Sequence, residues 1–194
     1  MHSTVAVPPF AHALLLGTVA IWALLEVRQS VNHRREGVKA SWGSEIVFRL
    51  AVAAGVLLAI VLSRTAPAAA IRLAAVAAWI GLGLLWCGIA LRFWSFRTLG
   101  RYFTFIVQTS ADQPVITDGP YRVVRHPSYA GILLAVTGLG LFIGNWLSLV
   151  SLTIAMACGL VFRIRVEERA LLQNLGDDYR NYAATRKRLV PFIW

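Results

Sequence analysis

Charge is scarce in this sequence. Only 14% of its 194 residues are Asp, Glu, Lys or Arg, against 58% hydrophobic, where soluble domains carry about a quarter charged. That shortage argues against an ordinary soluble globule and for an all-α integral membrane protein of one domain. Acids are scarcer than bases, 9 against 19, and lysine is confined to Lys39 and Lys187. In a membrane protein a basic excess marks loops on the cytoplasmic side, near anionic lipid, so no nucleic-acid surface is read from it. Cysteine is limited to Cys87 and Cys158, both inside apolar runs, which argues against a disulfide framework. No Cys–His spacing is present, so no metal site is expected. No Lys or Arg precedes the first apolar run and no clear cleavage site follows it, which favours a first membrane helix over a signal peptide. Lipidation and an obligate protein partner are not indicated.

What the chain has in quantity is long apolar runs. A membrane helix needs about 20 mostly apolar residues. Segments near Phe10–Val27, Ile46–Leu62 and Ile71–Trp94 qualify, followed by one stretch from Tyr129 to Phe162 interrupted by Gly144-Asn145-Trp146. Gly-Asn is a turn signal, and an unbroken helix across that stretch would overshoot the hydrocarbon core, so a helical hairpin is predicted. Five crossings with the N-terminus outside leave Arg64 and Arg72 as the bases on the far side, with the others on the cytoplasmic side or at its edge. Trp22, Trp42, Trp94 and Trp146 near segment ends suit an aromatic belt. Residues 1–94 then form three N-terminal helices. Residues 95–194 supply loops, the hairpin and a cytoplasmic tail, the tail carrying apolar residues at helical spacing and a break at Gly176-Asp177-Asp178.

The remaining charge is clustered. Arg122, Arg125 and His126 precede the fourth helix in "GPYRVVRHPSYAG", while Arg163, Arg165, Glu167 and Glu168 follow the fifth. A hairpin returns the chain to its starting side, so the two clusters should meet at one membrane surface. Pro127 and Ser128 read as the start of a helix with Ser128 as its cap, and amides at that N-terminus would reinforce the cations in holding a carboxylate or phosphate. The plain alternative is positive-inside anchoring. Arg163 and Glu167 lie one turn apart, as an ordinary salt bridge or as a functional pair near the membrane surface. Tyr121, Tyr129, Tyr179 and Tyr182 offer hydroxyls and flat faces, and Gln108 offers an amide for a purine edge.

"GPYRVVRHPSYAG", a two-helix hairpin and then "FRIRVEERALLQNLGDDYRNYAATRKRLVPF" together resemble the isoprenylcysteine carboxyl methyltransferase family and its bacterial and archaeal relatives, as does the upstream "LGRYFTFIVQ". The likeness covers Trp94 to Phe192; the first three helices match only in hydropathy. It implies S-adenosylmethionine bound by cytoplasmic loops over the last helices, with Gln108, His126, Tyr129 and Glu168 against the cofactor and Tyr121, Arg125 and Tyr182 as further candidates around them. Arg163 and Glu167, the family's Arg-x-x-x-Glu, would face the methyl acceptor. The acceptor it implies is a lipophilic small molecule or prenyl-type group, reached from membrane lipid. The eukaryotic enzymes carry extra N-terminal helices and act on prenylated protein C-termini, whereas this short, Arg-rich chain looks like a multi-pass protein of a bacterial plasma membrane. An NADPH-dependent reductase with a similar pocket and a non-enzymatic scaffold are the alternative readings.

Overall fold

Apolar runs this long can satisfy their backbone in lipid only as helices, and helices are what they form. The computed structural model describes residues 7–32, 42–100, 114–191 and 193–194. They build α1 (Pro9–Asn32), α2 (Trp42–Thr65), α3 (Ala74–Leu99), α4 (Pro127–Ile143) and α5 (Trp146–Thr185), with single 3-10 turns at Pro67–Ala69 and Gly119–Arg122. α1, α2, α3 and α5 are each long and apolar enough to cross a membrane, and α4 is a shorter apolar helix. Large apolar side chains such as Leu16, Leu24, Leu50, Leu57 and Ile154 point outward, as a lipid-facing surface requires.

Helices in lipid gain little from hydrophobicity alone and associate through close packing of small residues. α3 and α4 run antiparallel, with Gly81 opposite Gly138 and, two turns on, Gly88 opposite Gly131. A Cβ at Gly88 would lie 2.4 Å from the Gly131 carbonyl, and one at Gly81 would lie 2.5 Å from that of Gly138. α2 and α5 meet similarly, Gly55 against Ala155 and Gly159 against Ala51. α4 is the shared wall. One apolar cluster joins its Ala135 and Phe142 to Leu82 and Leu85 of α3 and Ala11 of α1, and a second joins its Ile132 and Val136 to Leu152, Met156 and Leu160 of α5.

The predicted hairpin is present. Gly144 caps α4 in the left-handed conformation (φ 75°), and the Asn145 side chain accepts from the Ser148 amide (3.1 Å) to start α5. The same asparagine donates to the Ala66 carbonyl (2.9 Å), and the Ile71 amide donates to the Gly144 carbonyl (2.8 Å), so the α2–α3 link and the α4–α5 turn lie at one end of the bundle. The start of α1 is there too, Phe10 packing on Trp79 and His12 on Phe142. The chain therefore alternates between two ends, as five crossings demand.

The helices outrun the predicted apolar segments: α1 reaches Asn32 and α2 spans Trp42–Thr65. α3 runs on past Trp94 to Leu99, because the polar-aromatic "SFRTL" keeps helical backbone until Gly100 turns it with φ 52°. α5 continues as helix through the charged "RIRVEERALLQNL" to Gly176 (φ 54°), where the chain kinks and a second helical piece reaches Thr185. The predicted end and restart at Gly176 fall where the kink is.

Candidate functional site at the charged end of the bundle

Three polar networks collect at the end opposite the hairpin turn. The first is centred on α5. Arg163, 5% exposed, donates from Nε to the Tyr129 hydroxyl (2.7 Å), which donates onward to Glu167 Oε2 (2.6 Å). Its Nη1 pairs with Glu45 of α2, and its guanidinium lies over the rings of Phe48 and Tyr129. Arg163 and Glu167 thus communicate through the hydroxyl of Tyr129.

The second network surrounds Glu168. Its Oε1 is 3.0 Å from Arg125 Nη1 and 3.2 Å from His126 Nε2, and its Oε2 accepts from Arg188 Nε at 2.9 Å. Arg125 and His126 lead into α4, and Arg188 belongs to the tail. The tail is fixed beside them: the Arg125 amide donates to the Lys187 carbonyl (2.8 Å) and that of His126 to the Arg188 carbonyl (3.0 Å). The Tyr182 hydroxyl donates to the Tyr121 carbonyl (2.8 Å), closing the 3-10 turn onto the end of α5. The His126 ring stacks on Tyr129 with centroids 5.6 Å apart, so the two networks share a wall. Burial, with the Glu167 charge nearby, raises the Tyr121 phenol well above its ordinary range, and it stays protonated.

Three buried polar atoms in this region, Arg125 Nε, Tyr179 Oη and Arg186 Nε, have no hydrogen-bond partner among the described residues. Buried donors are rarely left unmet without a reason. Around Glu168 two arginines and a histidine face one carboxylate, leaving an excess of positive charge. This combination fits a ligand that brings its own carboxylate and further acceptors, and the residues present therefore suit S-adenosylmethionine.

The third network lies on the other face of α4. Arg92, buried in α3, makes a two-pronged contact with Glu26 of α1, its Nη2 donating to Oε2 at 2.8 Å, and donates from Nη1 to Ser128 Oγ at 2.8 Å. Ser128 is therefore not the cap of α4. His126 occupies that position without a side-chain capping bond, Pro127 opens the helix, and Ser128 is turned towards α3 as the acceptor of a buried arginine.

Of the residues singled out from sequence, the fold brings together Tyr121, Arg125, His126, Tyr129, Arg163, Glu167, Glu168 and Tyr182. Gln108 lies outside the described residues. Arg122 and Arg165 are exposed and take no part in these buried networks. Glu45, Glu26 and Arg92 were not anticipated. The signal was an ionisable residue near the end of an apolar helix, a costly placement that seldom lacks a partner.

A bundle of membrane-crossing helices with buried ion pairs gathered at one end defines an integral membrane protein with a polar site at one membrane surface. Comparison with known proteins makes that class specific. Residues 79–173 match the sequence model of the isoprenylcysteine carboxyl methyltransferase (ICMT) family. It is 33% identical over 117 residues to a probable protein-S-isoprenylcysteine O-methyltransferase of Oryza sativa, covering 59% of this chain and 61% of the rice protein. Against protein-S-isoprenylcysteine O-methyltransferase B of Arabidopsis thaliana the identity is 32%, with 59% and 61% covered. The solved structure of a eukaryotic intramembrane Ras methyltransferase, ICMT, superposes with a TM-score of 0.63 at 27% identity, over 80% of this chain and 55% of that one. The chain thus spans about three-fifths of the plant relatives' length. These relatives give no support to a reductase or a scaffold.

Proposed function

We propose that this protein is a membrane methyltransferase that uses S-adenosylmethionine to methylate a lipophilic carboxylate of the isoprenylcysteine type. The observation that carries the reading is the cluster of Arg125, Arg188 and His126 around Glu168, with two arginines to one carboxylate, lying beside buried donors without partners. These residues, with Tyr121, Tyr129, Tyr182 and Gln108, would hold the donor. When bound, the donor supplies a methyl group on a sulfonium, which an acceptor oxygen takes by in-line displacement, the new C–O bond forming as the C–S pair returns to sulfur. A carboxylate is already a nucleophile and has no proton to lose, so the protein's task is to orient it and keep water out. Arg163 is suited to that task, since its guanidinium is fixed by Tyr129 and by two aromatic faces and arginine recognises carboxylates with defined geometry. The charged end, which carries most of the Lys and Arg, faces the cytoplasm of a bacterial plasma membrane in this reading.

The test is calorimetric binding of S-adenosylhomocysteine to detergent-purified protein, beside NADPH and a His126→Ala variant. Saturable binding of S-adenosylhomocysteine that the variant loses is expected. Binding of NADPH alone would replace the methyltransferase with a reductase, and binding of neither would favour a scaffold.

A further inference from the structure

Glu45 is the acid in the first turn of a largely apolar membrane helix, and its carboxylate is divided between two cations. Oε1 accepts from Arg49 Nε at 2.7 Å, and the Arg49 side chain is 73% exposed. Oε2 is held by the buried Arg163. Arg163 is otherwise fixed, its Nε on Tyr129 and its plane against Phe48 and Tyr129, so its Nη1 edge is where a carboxylate from the membrane side would dock. That edge already carries one. With Glu167 joined through Tyr129, two carboxylates are linked to a single buried guanidinium. A third arriving there would meet like charges in a medium of low dielectric, which is strongly unfavourable.

We infer that Glu45 occupies the acceptor-carboxylate position on Arg163 and yields it to the incoming acceptor while remaining paired with Arg49. The exchange conserves ion pairs: Arg163 trades one carboxylate for another, and Glu45 retains its i, i+4 partner at the surface. Glu45 is on this account a specificity-determining residue. It keeps the buried arginine neutralised between turnovers and makes a carboxylate on the lipophile the feature that gains entry. A lipophile with a neutral head gains nothing from Arg163.

This inference rests on the methyltransferase reading, and the experiment separates the two. Dissociation constants of N-acetyl-S-farnesylcysteine and of its carboxamide are measured in lipid nanodiscs containing S-adenosylhomocysteine, for the parent protein and for Glu45→Gln and Arg49→Gln. Removing the competing charge in Glu45→Gln should tighten carboxylate binding about tenfold. Arg49→Gln, which deprives Glu45 of its surface partner, should weaken it. The carboxamide should change little in either variant, which a general disturbance of the fold would not produce, and KM for methylation should follow the same order. Carboxylate binding unchanged or weaker in Glu45→Gln, or a carboxamide that shifts in parallel, overturns the assignment of Glu45. If that variant does not fold, the surface variant decides alone, and unweakened binding in Arg49→Gln overturns the assignment. A parent protein that binds S-adenosylhomocysteine but not the carboxylate overturns it while leaving the donor site standing. One that does not bind S-adenosylhomocysteine overturns the methyltransferase reading itself.

Discussion

Tyr129 shows how much one side chain does at this site. Its ring stacks on His126, beside the cluster proposed to hold the donor, while its hydroxyl stands between Arg163 and Glu167 in the group proposed to face the acceptor. The two parts are separable. Tyr129→Phe keeps the stacking and removes only the hydroxyl, so affinity for S-adenosylhomocysteine should be nearly preserved. Arg163 loses the contact that fixes Nε, and a misplacement on the order of 1 Å at a positioning group lowers turnover about 100-fold. The unmet buried groups should also cost ~1–3 kcal/mol of stability. Turnover, calorimetric affinity and thermal unfolding on one preparation check these expectations. A loss of donor affinity as large as the loss of turnover would place the hydroxyl in the donor site instead. The pairing was only half legible in the sequence. Arg163 and Glu167 are one turn apart, which suggested a simple salt bridge, but residue spacing on α5 cannot reveal that a hydroxyl from α4 enters between them or that an acid from α2 takes the far edge of the arginine.

At the scale of elements, the site depends on how closely α4 approaches α3. The distance is set by the glycines at 81, 88, 131 and 138, because any side chain there meets backbone, which cannot rotate away. Gly88→Ala brings a methyl to 2.4 Å from the Gly131 carbonyl and 2.5 Å from the Ala135 amide. The helices must then part, which costs ~1–3 kcal/mol. Gly83→Ala is the matched control, since nothing lies within 4 Å of its Cβ, and it should be neutral or slightly stabilising through helix propensity. Thermal unfolding in detergent distinguishes them, and equal melting temperatures would contradict a contact of this closeness. The same separation would move Ser128 from Arg92, one turn before Ile132, and disturb the start of α4. The helices and their hairpin were legible in hydropathy and in Gly144-Asn145. The glycine pairing was not, because a glycine in an apolar run looks alike whether it faces lipid or another backbone. The apolar segments behind α1, α2 and α3 were underestimated for a related reason: hydropathy marks where lipid ends, whereas a helix ends where its backbone does, as at Gly100; the break at Gly176 was legible in Gly-Asp-Asp.

For the whole molecule, chain direction and charge make one further expectation testable. The α2–α3 link, the α4–α5 turn and the beginning of α1 share one end, and the three ion-pair networks share the other. The first end carries Arg64 and Arg72, while Lys187 and the arginines of the networks belong to the second, and the orientation proposed from the positive-inside bias has the site facing the cytoplasm. The proposed donor is a water-soluble, charged cosubstrate of the cytoplasm, and only this orientation lets it reach Arg125 and His126 without crossing the bilayer. The lipophilic acceptor, by contrast, can arrive laterally. Both native cysteines are exposed on membrane helices and are first replaced by alanine. A cysteine at the exposed Trp146 should then react with an impermeant maleimide in intact cells, and one at the exposed Lys187 only after permeabilisation. The opposite pattern would put the cation cluster outside the cell, away from its donor, and the methyltransferase reading would fail on access even if every side chain were correctly placed.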